Sequence, residues 1–155
     1  MAGRRSPLRR VPAASDGAAS DGALRLHRIL VVEDEEAVAE GLRLLLEQEY
    51  AVDLASSGQQ ALELLLGSVP FDAVLCDLMM PGMSGIELFR ALKVRAPGME
   101  ERLVFMTGGA FTLEAEAFLD EVSNPRVEKP FDFASVDRLL RVAVAAHRQQ
   151  DPKQG

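Results

Sequence analysis

Five times along this chain a short, β-branched apolar run gives way to a stretch with helical periodicity. The runs are "RILVVE" (28–33), "YAVDLAS" (50–56), "FDAVLCD" (71–77), "RLVFMTGG" (102–109) and "RVEK" (126–129). Short apolar runs of this kind read as strands buried on both faces, which is how parallel strands are placed. Between and after them lie "DEEAVAEGLRLLLEQ", "GQQALELLLGS", "SGIELFRALKVR", "TLEAEAFLDEV" and "FASVDRLLRVAVAAHRQQ". The first of these sets Val38, Leu42, Leu45 and Leu46 on one helical face, with acids in its first turn. The third starts near Ser84, an N-cap with Glu87 at capping-box spacing. The last carries Val136, Leu140, Ala143, Val144 and His147 along one stripe. Alternation of this kind predicts right-handed βαβ crossovers and an α/β, doubly wound parallel sheet of five strands.

The ends of those strands carry the chemistry. In doubly wound sheets ligands bind in the crevice outside the carboxyl ends of the strands. Reading those ends places Glu33 and Asp34 after the first strand, Asp77 after the third, Thr107 after the fourth and Lys129 after the fifth. A phosphate-cradling glycine loop would belong after the first strand, but "VVEDEE" has no glycine, so dinucleotide and P-loop readings fail. Three carboxylates in one crevice repel one another unless positive charge sits among them. Lys129 supplies one charge, and a hard divalent cation with oxygen ligands supplies the rest, as Mg²⁺ does with one or two carboxylates, waters and a phosphate oxygen.

The remaining composition narrows the class. No stretch approaches the roughly 18–20 apolar residues that cross a bilayer, and the lone Cys76 points to a buried structural thiol in a reducing, cytoplasmic setting. Residues 1–28 hold six Arg against two Asp, so the chain's net −7 leaves about −11 for the remainder. An acidic folded part argues against broad nucleic-acid binding through the domain itself, and no membrane partner is expected. Residues 1–26 read as a disordered basic tail, too polar after "RRSPLRR" for an export signal, and 150–155 as a short C-terminal tail.

The acidic pair Glu33-Asp34, the "DLMMPGMSG" loop behind Asp77, "MTG" with Thr107 and "EKPF" with Lys129 and Pro130 resemble the receiver domain of bacterial two-component response regulators. The wording from Val104 to Asp132 resembles receivers fused to hybrid histidine kinases. The resemblance covers residues 27–149 and implies a flavodoxin-like (βα)₅ fold with strand order 2-1-3-4-5. It implies a single-domain response regulator, a phosphoacceptor rather than an enzyme, with self-phosphorylation from small donors and self-dephosphorylation. Asp77 would take a phosphoryl group from a partner histidine kinase or histidine phosphotransfer protein, and an unknown downstream protein would read the result. Mg²⁺ would be held by Asp34, Asp77, the backbone carbonyl of Met79 and, through water, Glu33. Lys129 would pair with the phosphoryl oxygens and Thr107 would donate its hydroxyl, with Gly108 leaving the approach open. The Lys129-Pro130 bond would be cis, which aims the lysine into the crevice.

Two departures stand out. Arg126 occupies a position where many receivers carry an aromatic, and it is either paired with an acid or exposed at a strand edge. Met79 and Gly109 offer no carboxylate or amide to orient an attacking water, which implies slow self-dephosphorylation. The rival readings are a phosphorylation-independent scaffold, a haloacid-dehalogenase-type phosphatase, which wants an Asp where Met79 stands, and a flavin-binding flavodoxin-type protein, whose phosphate the acidic first loop would repel. His27 and His147 read as structural or surface residues. A monomer or weak dimer is expected, with Phe118 and Leu119 as unspecific hints of a dimer face.

Overall fold

The computed structural model describes residues 26–108 and 112–150. The expectations for residues 1–25, Gly109 and residues 151–155 lie outside the described residues. Five strands, β1 (His27–Val32), β2 (Tyr50–Ala55), β3 (Ala73–Asp77), β4 (Leu103–Thr107) and β5 (Arg126–Glu128), form one sheet in the order β2-β1-β3-β4-β5. Every neighbouring pair is parallel. The helices are α1 (Glu36–Leu46), α2 (Gly58–Leu65), α3 (Gly85–Arg95), α4 (Leu113–Glu121) and α5 (Phe133–Gln150). The alternation implied the doubly wound parallel sheet and the resemblance implied the flavodoxin-like order 2-1-3-4-5; both are observed.

Period-two alternation in the strands divides the core into two layers. Ile29, Val31, Ala73, Leu75, Val104, Met106 and Val127 face α1 and α5, where Leu42, Leu46, Val136 and Leu140 cover them. Leu30, Val32, Val74, Cys76, Leu103 and Phe105 face α2, α3 and α4, where Leu62, Leu65, Leu88, Leu92 and Phe118 cover them. The central strands are sealed: Ile29–Val32 and Ala73–Cys76 are fully buried. Cys76 lies among them as a buried free thiol, and burial, first, then the nearby charge of Asp77, pushes it far above the ordinary thiol range.

The helix starts follow local chemistry. Ser84 and Glu87 form the complete capping box, with Ser84 N–H donating to Glu87 Oε1 at 2.9 Å and Glu87 N–H donating to Ser84 Oγ at 3.2 Å. Ser57 caps α2 and Thr112 caps α4 in the same manner, each accepting an N–H from three residues on. Each such cap contributes about 1 kcal/mol.

Some expectations are corrected by the packing. Leu45 is exposed, and Ala39 takes its place beside Leu42 and Leu46 on the buried face of α1. Residues Met99–Arg102 form a 3₁₀ turn that was not expected, and it takes Arg102 from the start of the expected fourth strand. Phe118 and Leu119 are buried, not surface residues available to a dimer face. Phe118 meets Phe89 at 5.1 Å and Phe105 at 5.5 Å between ring centroids, both edge-on, so α4 is pinned by an aromatic cluster. Each such pair adds about 0.5–1.5 kcal/mol beyond its buried area.

Candidate phosphoacceptor site

The crevice at the carboxyl ends of β1, β3, β4 and β5 collects the residues that the strand ends pointed to. β1 delivers Glu33, which is buried, and Asp34, which is exposed. The Glu33 N–H donates to Ala55 O at 3.0 Å, which ties the end of β1 to β2. Glu35 N–H then turns back to donate to Glu33 Oε2 at 3.2 Å, fixing the carboxylate. Asp77 ends β3 and is 7% exposed, enough for one face of its carboxylate to meet solvent or a ligand. Carboxylate oxygens of Glu33, Asp34 and Asp77 all lie within 4.8 Å of one another.

Lys129 arrives from the end of β5. Its backbone N–H donates to Thr107 O at 2.8 Å, so the lysine is registered against the end of β4. Its Nζ lies 3.3 Å from Glu33 Oε1 and 3.4 Å from Asp77 Oδ2, bridging two buried carboxylates. The Lys129-Pro130 bond is cis. Thr107 is buried as the last residue of β4, one position beyond Met106, the register partner of Asp77. Among the described residues, a Cβ built on Gly108, next to Thr107, would meet nothing within 4 Å.

The electrostatics follow from burial. Desolvation raises the Glu33 carboxyl above the ordinary range; the Glu35 N–H and Lys129 pull it down and the Asp77 charge pushes it up. Desolvation likewise raises Asp77, against the opposing pull of Lys129 and of a hydrogen bond from the Met79 N–H. Burial alone would lower the Lys129 ammonium, but Asp77 and Glu33 together hold it above its ordinary value. The lysine is therefore charged, and the carboxylates remain short of positive charge.

The loop behind Asp77 is held by main-chain contacts. Leu78 N–H donates to Met106 O at 2.9 Å, and Gly85 N–H donates to Leu78 O at 2.8 Å, closing residues 78–85. A Cβ at Gly85 would lie 2.8 Å from Asp77 O, so only glycine lets α3 begin this close to the acid. Met79 is 43% exposed and touches the site through its backbone. These main-chain ties left no mark in the residue pattern apart from the glycine itself.

Arg126 resolves to one of its two expected readings. It is exposed on the edge strand β5, opposite Phe105, and makes no ion pair among the described residues. His27 lies 3.7 Å from Asp72 at the far end of the sheet, and His147 is half-buried on α5. Among the described residues, no helix is long and apolar enough to cross a membrane.

An oxygen-only donor set of three carboxylates suits a small hard cation such as Mg²⁺, whose ligands sit at about 2.1 Å. One oxygen from each carboxylate lies within 4.8 Å of the others, close enough for these residues to share a single ion.

Comparison with known proteins identifies the family of this fold. Residues 29–141 match the family model described as the response regulator receiver domain. The chain is 38% identical over 114 residues to the transcriptional regulatory protein DltR of Streptococcus agalactiae, covering 73% of this chain and 48% of that protein. It is 37% identical over 129 residues to the response regulator MprA of Mycobacterium sp., covering 83% of this chain and 54% of that protein. The chain thus spans about half the length of the curated relatives it matches. A response regulator receiver domain protein of Clostridium thermocellum superposes with a TM-score of 0.73 at 25% identity, covering 81% of this chain and all of that one. Fold, strand order and family model agree: the chain belongs to the response regulator receiver domain family of two-component systems.

Proposed function

We propose that this chain is a Mg²⁺-dependent phosphoacceptor, taking a phosphoryl group on Asp77 from a phosphohistidine of a partner histidine kinase or histidine phosphotransfer protein. The observation that carries this reading is Lys129 Nζ placed 3.4 Å from Asp77 Oδ2, inside a cluster of three carboxylates. In that reading an Asp77 carboxylate oxygen attacks phosphorus, the new P–O bond forms as the P–N bond to the donor imidazole breaks, and the leaving nitrogen takes up a proton. Such transfers are catalysed by positioning and charge neutralisation. Lys129 moves from the carboxylate to the transferred oxygens, for which a compact ammonium is well suited. The Thr107 hydroxyl donates to the same group. Asp34 and Asp77, the Met79 carbonyl and, through water, Glu33 would hold Mg²⁺, which when bound neutralises the charge of the incoming phosphoryl oxygens.

We assign the receiver to residues 27–149, working in the cytoplasm where a kinase partner is available. It passes its state on by protein contact or onward phosphotransfer, and the acidity of the folded part supports a protein partner over nucleic acid for the domain itself. With no acid or amide at Met79, the phosphorylated form decays slowly.

Incubation with Mg²⁺ and acetyl phosphate tests this reading by mass spectrometry. The expected result is a gain of one phosphoryl group that is absent in Asp77→Asn and absent when Mg²⁺ is chelated. An unmodified parent would favour a phosphorylation-independent scaffold. Continuous release of phosphate over many turnovers would favour a phosphatase.

A further inference from the structure

The loop that carries Met79 is held on one side by α3, through Gly85. Its other side rests on α2, an element from a different βα unit. Gly58, the first residue of α2, is buried there. A Cβ built on Gly58 would lie 2.5 Å from Met83 O and 2.9 Å from both Met83 Cβ and Met83 Cγ. Real Cβ atoms do not approach backbone oxygen this closely, so any side chain at position 58 must move Met83 or the start of α2.

The start of α2 cannot easily yield. Ser57 caps it by accepting the Gln60 N–H at 3.1 Å, and Ala61, Leu62 and Leu65 bury the helix against the sheet. The loop cannot yield locally either. It is closed at its neck by the 2.8 Å bond between Gly85 N–H and Leu78 O, and anchored to β4 by the 2.9 Å bond between Leu78 N–H and Met106 O. Displacement of Met83 therefore travels around a short closed loop whose other limb is Met79. The Met79 N–H already hydrogen-bonds the Asp77 carboxylate.

We infer that Gly58 is a positioning residue for the phosphoacceptor site: its missing side chain lets α2 clasp the 78–85 loop and set where Met79 stands relative to Asp77. This rests on the reading of Asp77 as phosphoacceptor with Met79 beside its metal. Residues that orient metal ligands from behind commonly change metal affinity by about 10–100-fold when altered, and small misplacements of reacting groups slow transfer by similar factors.

The test compares Gly58→Ala with Leu62→Val, which perturbs the same helix in the core without touching the loop. Mg²⁺ binding is measured by titration calorimetry, phosphorylation by acetyl phosphate, stability by thermal melting, and the loop by the Met79 backbone amide resonance. Gly58→Ala is expected to weaken Mg²⁺ binding by roughly tenfold or more, to slow phosphorylation with partial recovery at high Mg²⁺, and to shift the Met79 amide. Leu62→Val is expected to lower the melting temperature while leaving the other three readouts near those of the parent. A Gly58→Ala protein that is merely less stable, with the parent's Mg²⁺ affinity and Met79 resonance, would overturn the inference. Should that variant fail to fold, Met83→Gly removes the side chain on which Gly58 rests, and unchanged Mg²⁺ affinity there overturns it equally. A parent that takes no phosphoryl group would instead sink the functional reading, while the Met79 amide still decides whether Gly58 sets the loop.

Discussion

Lys129 and Glu33 stand 96 positions apart in the chain, yet Lys129 Nζ lies 3.3 Å from Glu33 Oε1. The same ammonium lies 3.4 Å from Asp77, so one cation serves two buried acids. Removing it leaves an uncompensated charge cluster. Lys129→Ala is expected to slow phosphorylation by acetyl phosphate at least about 100-fold, the usual cost of losing one charge-stabilising donor. It should also lower stability at neutral pH. Both carboxyls already stand above the ordinary range, and without the lysine they rise further. A raised carboxyl binds its proton more tightly in the folded state, so this loss is largest at neutral pH and shrinks as acidification protonates the two carboxyls. Thermal melts of parent and variant from neutral to acidic pH would show it; a constant difference would contradict the argument.

The phosphoacceptor itself is held at a cost. Desolvation raises Asp77 despite Lys129 and the Met79 N–H, so its ionised form is disfavoured in the folded state. Asp77→Asn is expected to stabilise the protein by about 1 kcal/mol, or roughly 4 °C in melting temperature. Mg²⁺ should raise the parent's melting temperature by binding the folded form, and much less that of the variant. Calorimetry with and without millimolar Mg²⁺ checks both halves.

Tyr50 reaches from the start of β2 to α5, where its hydroxyl donates to Asp137 Oδ1 at 2.7 Å. Asp137 also accepts from Arg141 Nε at 2.9 Å, and Arg141 pairs in turn with Glu49. Burial and then the Asp137 hydrogen bond push the Tyr50 phenol far above its ordinary value. Burial would raise Asp137, but Tyr50 and Arg141 outweigh it and hold the carboxyl low. A raised phenol contributes stability that is complete below its unfolded pKa of about 10 and lost as pH rises further. A lowered carboxyl contributes stability present above about pH 4 and lost as pH falls below it. Tyr50→Phe should cost about 1–2 kcal/mol at neutral pH and flatten the alkaline limb. Urea unfolding from pH 3 to 11 measures this.

Gly85 separates a steric role from a capping one. A Cβ there would press on Asp77 O at 2.8 Å and Leu78 Cα at 3.0 Å. Gly85→Ala is expected to cost about 1–3 kcal/mol as overpacking and to slow phosphorylation. Ser84→Ala, which removes only the cap of α3, should cost about 1 kcal/mol and leave the phosphorylation rate near that of the parent. Paired melts and mass-spectrometric time courses separate the two effects.

Much of the fold was legible because it rests on local pattern. Apolar runs such as Ile29–Val32 are unambiguous as sealed strands, and Ser84 with Glu87 marks a helix start by chemistry confined to four residues. The ordered ends of those strands also named Glu33, Asp34, Asp77, Thr107 and Lys129, because parallel winding brings all such ends to one edge. Where the pattern was degenerate it misled: Leu44, Leu45 and Leu46 are chemically alike, and only the rotation of α1 on the sheet selects Leu46 for the core and exposes Leu45. Phe118 likewise joins the core because Phe89 and Phe105 from two other elements surround it.

The sequence by itself determined the α/β alternation, the parallel sheet and the residue types at the crevice, because these depend on periodicity and on which side chains end each strand. Only the tertiary structure decided how Lys129 divides its charge between Glu33 and Asp77, and that Gly58 lies against Met83. Those are distances between residues far apart in the chain, set by packing geometry.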